Sequence, residues 1–453
     1  MYDARFALFL YLFFVIRKSY ALRLTRKKEI LMSFEPVDWS YNTNIYEVNL
    51  RQYTTEGSFD AFARSLPRLR DMGIEILWFM PITPISLEKR KGTLGSYYAC
   101  SDYTSTNTEF GTIDEFKVLV QSAHDLGFKV IIDWVANHTG WDHRWTREHA
   151  DYYVKDVNGN FTERNGWDDV IDLNYDNPAL RKAVIDAMQF WIVECDIDGF
   201  RCDMAHLVRL DFWIEARMTL DRLKKLFWLG ECEVADYHQA FDATYTWRWM
   251  HRTEELARHQ YDCNGIWDLL MQYDKEFPQN AFRAYFTSNH DENSWNGTEY
   301  EKYGPAARNL AIFCCTWNGL PLIYSGQEMP NYKRLKFFDK DAIEWSGKYE
   351  LHEFYKILLD LRKKNNALHA GDNNVVTHKL QTNSSDKIFS FFRKNGNDEV
   401  LVILNFSSEK MALEIQDEVL QGSFRNVFDH SSVDFTSSKA IDISEWSYLV
   451  FEK

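Results

Sequence analysis

The sequence predicts an α/β fold: a (β/α)8 TIM barrel with a short excursion after the third strand, followed by a C-terminal all-β sandwich domain. Three observations support this prediction. Short apolar strands alternate with amphipathic helices after Met32. A long polar segment, residues 139–174, interrupts the alternation after the third strand. From about residue 370 the helical patterns stop, and short alternating strands separated by Asn, Gly and Ser take their place.

Eight strand segments give the predicted barrel its strand count. Each is a short apolar run that ends in polar or turn-forming residues. The segments are residues 44–50, 75–82, 129–135, 197–204, 227–232, 241–247, 285–291 and 322–327. The helical patterns are clearest at residues 59–72, 112–126 and 177–193. In the second of these, Thr112 and Glu115 form a capping box, and Gly127 ends the helix.

The chain divides into three predicted parts. These are an N-terminal extension (residues 1–31), the barrel with its excursion (32–369) and the β-sandwich (370–453). Strands of the sandwich are predicted at residues 387–393, 399–406, 411–415, 423–428 and 448–451. The extension contains an apolar run, residues 6–16, which is shorter than the roughly 18 residues of a membrane-spanning helix. Either this run is the core of a signal peptide or anchor, or translation begins at Met32, and the sequence leaves both possibilities open.

The composition argues against nucleic-acid binding and favours a cytoplasmic location. The net charge of −15 argues against a nucleic-acid partner, because a phosphate backbone requires a basic surface. The seven cysteines lack metal-type spacing apart from the adjacent pair Cys314 and Cys315, which favours a reducing compartment. We therefore expect a cytoplasmic protein. A secreted, periplasmic or membrane-anchored location is the alternative if residues 1–31 are a targeting segment.

Charged side chains accumulate at the ends of the predicted barrel strands. In a (β/α)8 barrel the carboxyl ends of the strands form the active-site face. Arg201 and Asp203 alternate with Cys202 in the fourth strand, so the guanidinium and the carboxylate lie on the same side. The other strand ends contribute His138, Glu231, Glu233, His290 and Asp291. Several carboxylates at one mouth repel each other, which favours a catalytic role over a structural one.

The same strand ends carry the motifs of a known family. The segments D-W-V-A-N-H (133–138), G-F-R-C-D (199–203), L-G-E-C-E (229–233) and F-T-S-N-H-D (286–291) resemble the four signature regions of the α-amylase family of glycoside hydrolases, in the family's order. Weaker matches are Y-A-C-S-D-Y (98–103), D-L-N (172–174), and G-L-P (319–321) with G-Q-E (326–328). The resemblance covers about residues 44–363 and implies a retaining enzyme built on a (β/α)8 barrel.

The resemblance assigns a role to each matched residue. Asp203 becomes the nucleophile, Glu231 the general acid/base, and Asp291 the carboxylate that holds sugar hydroxyls and stabilises the transition state. The remaining matched residues line the substrate-binding site: Tyr98, which stacks on the sugar, His138, Arg201 and His290, with His206 meeting the sugar on the leaving side.

The chemistry of these residues agrees with the assignment. Glycoside cleavage needs one ionised and one protonated carboxyl group on either side of the bond. Arg201 can keep Asp203 ionised, while the apolar neighbours of Glu231 raise the pKa of its carboxyl group. Glu233 shares the strand face with Glu231 and is a rival for the acid. The motif favours Glu231.

The resemblance leaves the metal question open. No cofactor is needed for the chemistry. Family members with a structural calcium usually have a His four residues after the nucleophile, where this chain has Leu207. Asn137 and Asp172 nevertheless match family calcium positions, and both offer oxygen ligands. A structural calcium is therefore possible, and no metal ligand is assigned.

We expect a retaining hydrolase of starch-like glucans or malto-oligosaccharides, with an α-glucan or oligosaccharide as its partner and no stable protein partner. One alternative is a transglycosylase or sugar isomerase that uses the same glycosyl-enzyme. An alternative of another class is a catalytically silent, membrane-anchored partner protein, which the presence of all three carboxylates disfavours. Met204 occupies a position associated with linkage preference in the family, so α-1,4 and α-1,6 linkages both stay open.

Overall fold

The computed structural model describes residues 34–453, and the expectations for residues 1–31 lie outside them. Ten strands precede the C-terminal domain: β1 (Ile45–Val48), β2 (Ile76–Phe79), β3 (Lys129–Trp134), β4 (His138–Gly140), β5 (Val170–Asp172), β6 (Gly199–Cys202), β7 (Phe227–Gly230), β8 (Ala243–Tyr245), β9 (Phe282–Tyr285) and β10 (Leu320–Tyr324). Eight of them, all but β4 and β5, form a closed parallel barrel in chain order. The predicted fold class is confirmed.

The barrel strands are buried on both faces. Every residue of the eight barrel strands is buried except Lys129, as expected for parallel strands that face a packed barrel interior and an outer ring of helices. The longer outer helices are Ile113–Asp125, Pro178–Cys195, Leu210–Leu220, Trp247–Ala257, Cys263–Glu276, Ala307–Thr316 and His352–Lys364. Shorter α-helices are Leu50–Tyr53, Phe59–Ala63, Leu66–Asp71, Trp145–Glu148 and Glu299–Tyr303.

Two sequence predictions need correction within the barrel. The helix expected at 59–72 is two short helices, because Pro67 lies in the first turn of the second one and has no N–H to continue the first. The strand expected at 285–291 lies instead at Phe282–Tyr285 (β9), so the predicted and observed strands share only Tyr285. After Tyr285 the backbone bonds to side chains of the rim instead of to a neighbouring strand; the N–H of His290, for example, donates to Glu47 Oε1 at 3.3 Å.

The segment 139–174 is a small excursion above the barrel, anchored by the antiparallel pair β4 and β5. In this pair His138 lies opposite Asp172 and Gly140 opposite Val170. The pairing ties the end of β3 to the far end of the excursion. The excursion thereby becomes one wall above the carboxyl ends of the barrel strands.

The C-terminal domain is all antiparallel β. Its strands are β11 (Val376–Lys379), β12 (Ile388–Asn395), β13 (Asp398–Asn405), β14 (Met411–Glu414), β15 (Ser423–Asn426), β16 (Ser432–Asp434), β17 (Ala440–Ile443) and β18 (Tyr448–Glu452). Six of them form one sheet, and β14 with β17 forms a second. Leu413 and Ile443 of the small sheet share an apolar core with Leu401 and Phe451 of the large one. The sequence did not predict β11, β16 and β17.

The domain packs directly on the barrel. Phe389 stacks on Trp267 with ring centroids 4.7 Å apart, and Asn309 Nδ2 donates to Asn405 O at 2.8 Å. These contacts lie on the outer helices and away from the carboxyl ends of the strands, so the domain supports the barrel and adds nothing to its mouth. In residues 34–453, every helix is too short or too polar to cross a membrane.

Candidate active site

A cavity of about 450 Å³ opens at the carboxyl ends of the barrel strands. Asp203 follows β6, Glu231 follows β7 and Asp291 lies in the segment after β9, and all three carboxylates line the cavity. Tyr98 and His138 line it as well. The fold therefore brings together five residues that lie almost two hundred positions apart in the sequence.

The guanidinium of Arg201 connects the acidic groups beneath this cavity. It is fully buried, and Nη1 donates to Asp203 Oδ1 at 3.0 Å and to Asp133 Oδ1 at 2.9 Å. Nη2 lies 2.8 Å from Glu231 Oε2, a charge contact that lacks the direction of a hydrogen bond. One cation thus contacts three carboxylates from three neighbouring strands. Without it, three buried negative charges would face each other.

Asp133 is a site residue that the sequence did not single out. It lies at the end of β3, directly opposite Arg201 in the pairing with β6. Its Oδ2 accepts hydrogen bonds from Trp78 Nε1 and Tyr98 OH, both at 3.2 Å. Asp133 does not line the cavity, so its role is to hold Arg201 and Tyr98 in place. Its position in the D-W-V-A-N-H motif was a signal, but the pairing register with β6 was not visible.

Burial sets the protonation states of the two central carboxyl groups. Burial raises the pKa of Asp203, and Arg201 acts in the opposite direction. Burial raises the pKa of Glu231 to about 7; Arg201 opposes this shift, and the charges of Asp203 and Asp291 add to it. Glu231 Oε2 also accepts the N–H of Met204 at 2.8 Å. Near neutral pH Glu231 therefore retains a substantial protonated fraction, as a general acid requires.

The two histidines at the site differ in charge: His138 is neutral and His290 is positively charged. Burial lowers the pKa of His138 to about 4, so its ring is neutral. Asn137 Nδ2 lies 3.1 Å from His138 Nδ1; an amide nitrogen can only donate, so Nδ1 accepts and Nε2 carries the proton. Burial alone would lower the pKa of His290, but the carboxylates of Asp291 and Glu47 outweigh it and raise that pKa to about 9.

Glu47 is a second site residue that the sequence did not single out. It is fully buried on β1, and its Oε1 lies 2.6 Å from His290 Nδ1. The other ring nitrogen, Nε2, lies 2.7 Å from Tyr98 OH. Glu47 therefore fixes the imidazolium of His290, which contacts Tyr98 and Asp291 but, contrary to the prediction, is buried and does not line the cavity itself. Nothing in the pattern of residues around it distinguishes Glu47 from any other acidic residue of a short strand.

Asp291 is positioned by an unusual turn. A π-helical segment, Glu292–Asn296, follows it directly, and such segments are frequent at functional sites. Glu292 is buried and forms an ion pair with the buried Lys302. These contacts fix the turn beneath Asp291. The carboxylate of Asp291 itself keeps 38% of its side-chain surface exposed and faces the cavity.

The two remaining predicted residues, Tyr98 and His206, lie in different places. Tyr98 is buried and stacks on His290 with ring centroids 5.4 Å apart. His206 is exposed and lies outside the cavity, in an adjoining surface depression whose lining includes Met204, Glu231 and Trp247. The two hollows share Met204 and Glu231. His206 is therefore placed on the Glu231 side of the cavity.

The rival carboxylate, Glu233, lies in the same depression and is held by two arginines. Its Oε1 lies 3.2 Å from Arg283 Nη2 and 3.3 Å from Arg248 Nε. Its Oε2 accepts the N–H of Arg248 at 2.9 Å. Both carboxylate oxygens of Glu233 are therefore occupied by contacts with Arg283 and Arg248. Of the two glutamates, Glu231 lines the main cavity and Glu233 does not.

One of the two candidate calcium ligands, Asp172, already contacts a positive charge. Asp172 Oδ1 is buried without a partner, but Oδ2 accepts a hydrogen bond from Arg164 Nε at 2.6 Å. A calcium ion bound to this carboxylate would be repelled by the guanidinium beside it. Arg164 supplies the positive charge that a metal would bring to Asp172.

Comparison with known proteins identifies the family. Residues 38–168 and 152–399 match the catalytic domain of α-amylases, and residues 380–448 match the C-terminal all-β domain of α-amylases. The chain belongs to the α-amylase family of glycoside hydrolases. The expected family and the expected enzyme class, a glycosidase, are confirmed, and the alternative of a catalytically silent partner protein is not supported.

Solved structures of α-amylases share both the fold and part of the sequence. The maltogenic α-amylase AmyB from Thermotoga neapolitana is 30% identical, with a TM-score of 0.84 over 91% of this chain and 98% of that one. An α-amylase from Lactobacillus plantarum is 28% identical, with a TM-score of 0.82 over 91% of this chain and 99% of that one. Both therefore align with the barrel and the C-terminal domain together.

A sequence relative is longer than this chain. The α-amylase MalA of Haloarcula japonica is 27% identical over 390 residues, which is 82% of this chain. The chain spans 56% of the length of that relative.

Replacing Arg201 by Gln tests its electrostatic role. Without the guanidinium the pKa of Asp203 rises, and because a nucleophile must be ionised, the acid limb of the pH–rate profile moves upward by about 1–3 pH units. The pH dependence of kcat/KM on an α-glucan measures this shift. Stability also falls, by about 3–5 kcal/mol, because buried carboxylates lose their partner.

The matched control is Arg217→Gln. Arg217 is 2% exposed and its Nη2 lies 2.7 Å from Asp242, but neither residue lines the cavity. This variant should lose stability and keep the wild-type pH profile. Equal profiles for both variants would show that Arg201 supports the fold without tuning Asp203.

Proposed function

We propose that this enzyme hydrolyses α-glucosidic bonds of malto-oligosaccharides and starch-like glucans by double displacement, with retention of the α configuration. The observation that carries the proposal is the contact of Asp203 and Glu231 with neighbouring nitrogens of one guanidinium, that of Arg201. This arrangement favours the carboxyl separation of about 5–5.5 Å used by retaining enzymes over the wider gap of inverting ones. The relative from Thermotoga neapolitana, described as a maltogenic α-amylase, supports the substrate class.

Each site residue has a defined part in the proposed reaction. Asp203 attacks the anomeric carbon while Glu231 gives its proton to the glycosidic oxygen, so the bond to the leaving sugar breaks as the bond to Asp203 forms. Glu231, now ionised, then takes a proton from a water molecule whose oxygen bonds to the anomeric carbon, and the bond between the sugar and Asp203 breaks. Asp291 binds hydroxyl groups of the sugar, and the charged His290 holds Tyr98 and Asp291 in place.

Neutral His138 takes a further part. Its Nε2–H is an uncharged hydrogen-bond donor, and it can donate to a sugar hydroxyl that lies beside Asp203. Tyr98 closes the same side of the cavity and is held by Asp133 and His290. As positive charge builds on the sugar ring, its hydroxyl groups become stronger hydrogen-bond donors, so their bonds to the Asp291 carboxylate strengthen in the transition state.

The test is the product formed first from maltoheptaose. Proton NMR before mutarotation should reveal the α-anomer, and chromatography should reveal only products shorter than the substrate. An initial β-anomer would overturn both the mechanism and the role of Asp203. Longer oligosaccharides at early times would assign the enzyme to transglycosylation, and an isomerised disaccharide from maltose would assign it to the isomerases.

Replacing Glu231 by Gln should reduce the hydrolysis of maltoheptaose by about 10²–10⁴-fold, because the leaving sugar needs a proton. With 4-nitrophenyl maltoside the first step is the release of nitrophenolate, which leaves without a proton. The rate of this step should therefore fall much less. Glu233→Gln is the control and should keep a rate near that of the wild type on both substrates. If Glu233→Gln is the inactive variant, the acid has been assigned to the wrong residue.

We also propose that stability and activity do not depend on calcium, because the Arg164 guanidinium already neutralises Asp172. Prolonged dialysis against EDTA should leave the melting temperature and kcat unchanged. The matched variant Arg164→Ala should lower the melting temperature, since a buried carboxylate loses its partner. Loss of activity in EDTA that added calcium restores would contradict this proposal.

A further inference from the structure

The cavity adjoins a second hollow, and the chemistry identifies which part of the substrate this hollow receives. Beyond Glu231 the cavity continues into this hollow of about 370 Å³, lined by residues that include Met204, His206 and Trp247. A general acid protonates the oxygen of the leaving sugar. The departing part of the substrate therefore lies on the Glu231 side, where the surface leaves room for a long chain.

The opposite end of the cavity has a different lining. Lys91, Trp167, Asp169 and Phe338 line the cavity there, and none of them lines the hollow beyond Glu231. They come from three separate segments: the loop after β2, the excursion, and the loop after β10. This end receives the sugar that becomes bound to Asp203 and any sugars on its non-reducing side.

The loop after β2 is joined to the excursion by charge. Lys91 Nζ lies 2.9 Å from Asp169 Oδ1 and 2.7 Å from Asp168 Oδ1. Lys89 Nζ lies 3.1 Å from the centroid of the Trp141 ring. The ion pair between Lys91 and Asp169 is partly exposed, and such a pair contributes little to the stability of the fold. Its position at the cavity therefore suggests a role in binding the substrate.

The same loop is joined to the segment after β10 on its other flank. The N–H and the hydroxyl of Thr93 donate to Asp339 Oδ1 at 2.8 and 2.6 Å. The N–H of Leu94 donates to Phe338 O at 2.9 Å. Held on both flanks, the loop after β2 forms an end wall, and Lys91 and Asp169 are the charged groups of that wall that face the cavity.

We propose that Lys91 and Asp169 bind the non-reducing end of the substrate and make this enzyme act from the chain end, releasing short malto-oligosaccharides. The ammonium group donates and the carboxylate accepts, which suits the free hydroxyls of a terminal glucose unit. An internal unit extends into further sugars at its 4-oxygen, and these would collide with the wall. This inference rests on the proposed hydrolysis of α-glucans and adds the determinant of chain-end specificity.

The test compares two forms of 4-nitrophenyl maltoheptaoside, one with a free non-reducing end and one with that end blocked as a 4,6-O-ethylidene acetal. Chromatography with detection of the nitrophenyl group gives the initial rate and the cleavage position. The wild type should cut the blocked form at least about tenfold more slowly, and should shorten the free form by a constant small number of units.

Lys91→Ala should raise the blocked-to-free rate ratio by about tenfold, because the wall loses its cation and its bulk. Asp169→Asn keeps the shape of the wall and should weaken binding of the free substrate, raising its KM while kcat changes little. The control is Lys117→Ala, which removes a surface ion pair with Glu194 of nearly the same exposure as Lys91, 36% against 34%. It should leave both rates unchanged.

The outcomes separate this inference from the proposed function. Equal rates on the two substrates in the wild type overturn chain-end action while leaving α-glucan hydrolysis intact. An unchanged ratio in Lys91→Ala, with an unchanged KM in Asp169→Asn, overturns the assignment to these two residues. If Lys91→Ala does not fold, Lys91→Met takes its place, since it keeps the length of the side chain. No cleavage of the free substrate overturns the proposed function and this inference together.

Discussion

The contact of one buried guanidinium with three carboxylates is the interaction on which the rest of the site depends. Asp133, Asp203 and Glu231 end three adjacent barrel strands, and Arg201 contacts all three. The net charge of this group is negative, so one member gains stability by holding a proton. Because Glu231 has its pKa raised to about 7 by burial, the proton resides where a leaving sugar needs it. Electrostatics thus divides the roles between two carboxyl groups of similar chemistry.

A ring of buried residues supports this centre from below. Glu47 holds His290, His290 contacts Tyr98, and Tyr98 contacts Asp133. These contacts run from β1 across the mouth of the barrel to β3. The residues that line the cavity are consequently fixed by residues that a substrate does not reach, which is how a binding site keeps its geometry before the substrate arrives.

The excursion and the loops decide the shape of the cavity, as distinct from its chemistry. The barrel supplies the acidic groups, which other members of the family share at the level of sequence motifs. Lys91 and Asp169 belong to irregular segments outside those motifs. Loops that carry specificity above a rigid scaffold are a general property of the (β/α)8 barrel.

The sequence alone determined the fold class, the family and the residues that the carboxyl ends of the strands present, because apolar periodicity and the spacing of polar residues after each strand are local properties. Asp133 and Glu47 could not be recognised from sequence, since their importance comes from strand register and from partners more than sixty positions away. The segment after β9 was likewise predicted as a strand, whereas the N–H of His290 in that segment bonds to the Glu47 side chain and not to a neighbouring strand. Only the tertiary structure distinguished Glu231 from Glu233 by their partners and brought Lys91 to Asp169, because contacts between distant segments are set by packing and charge in three dimensions.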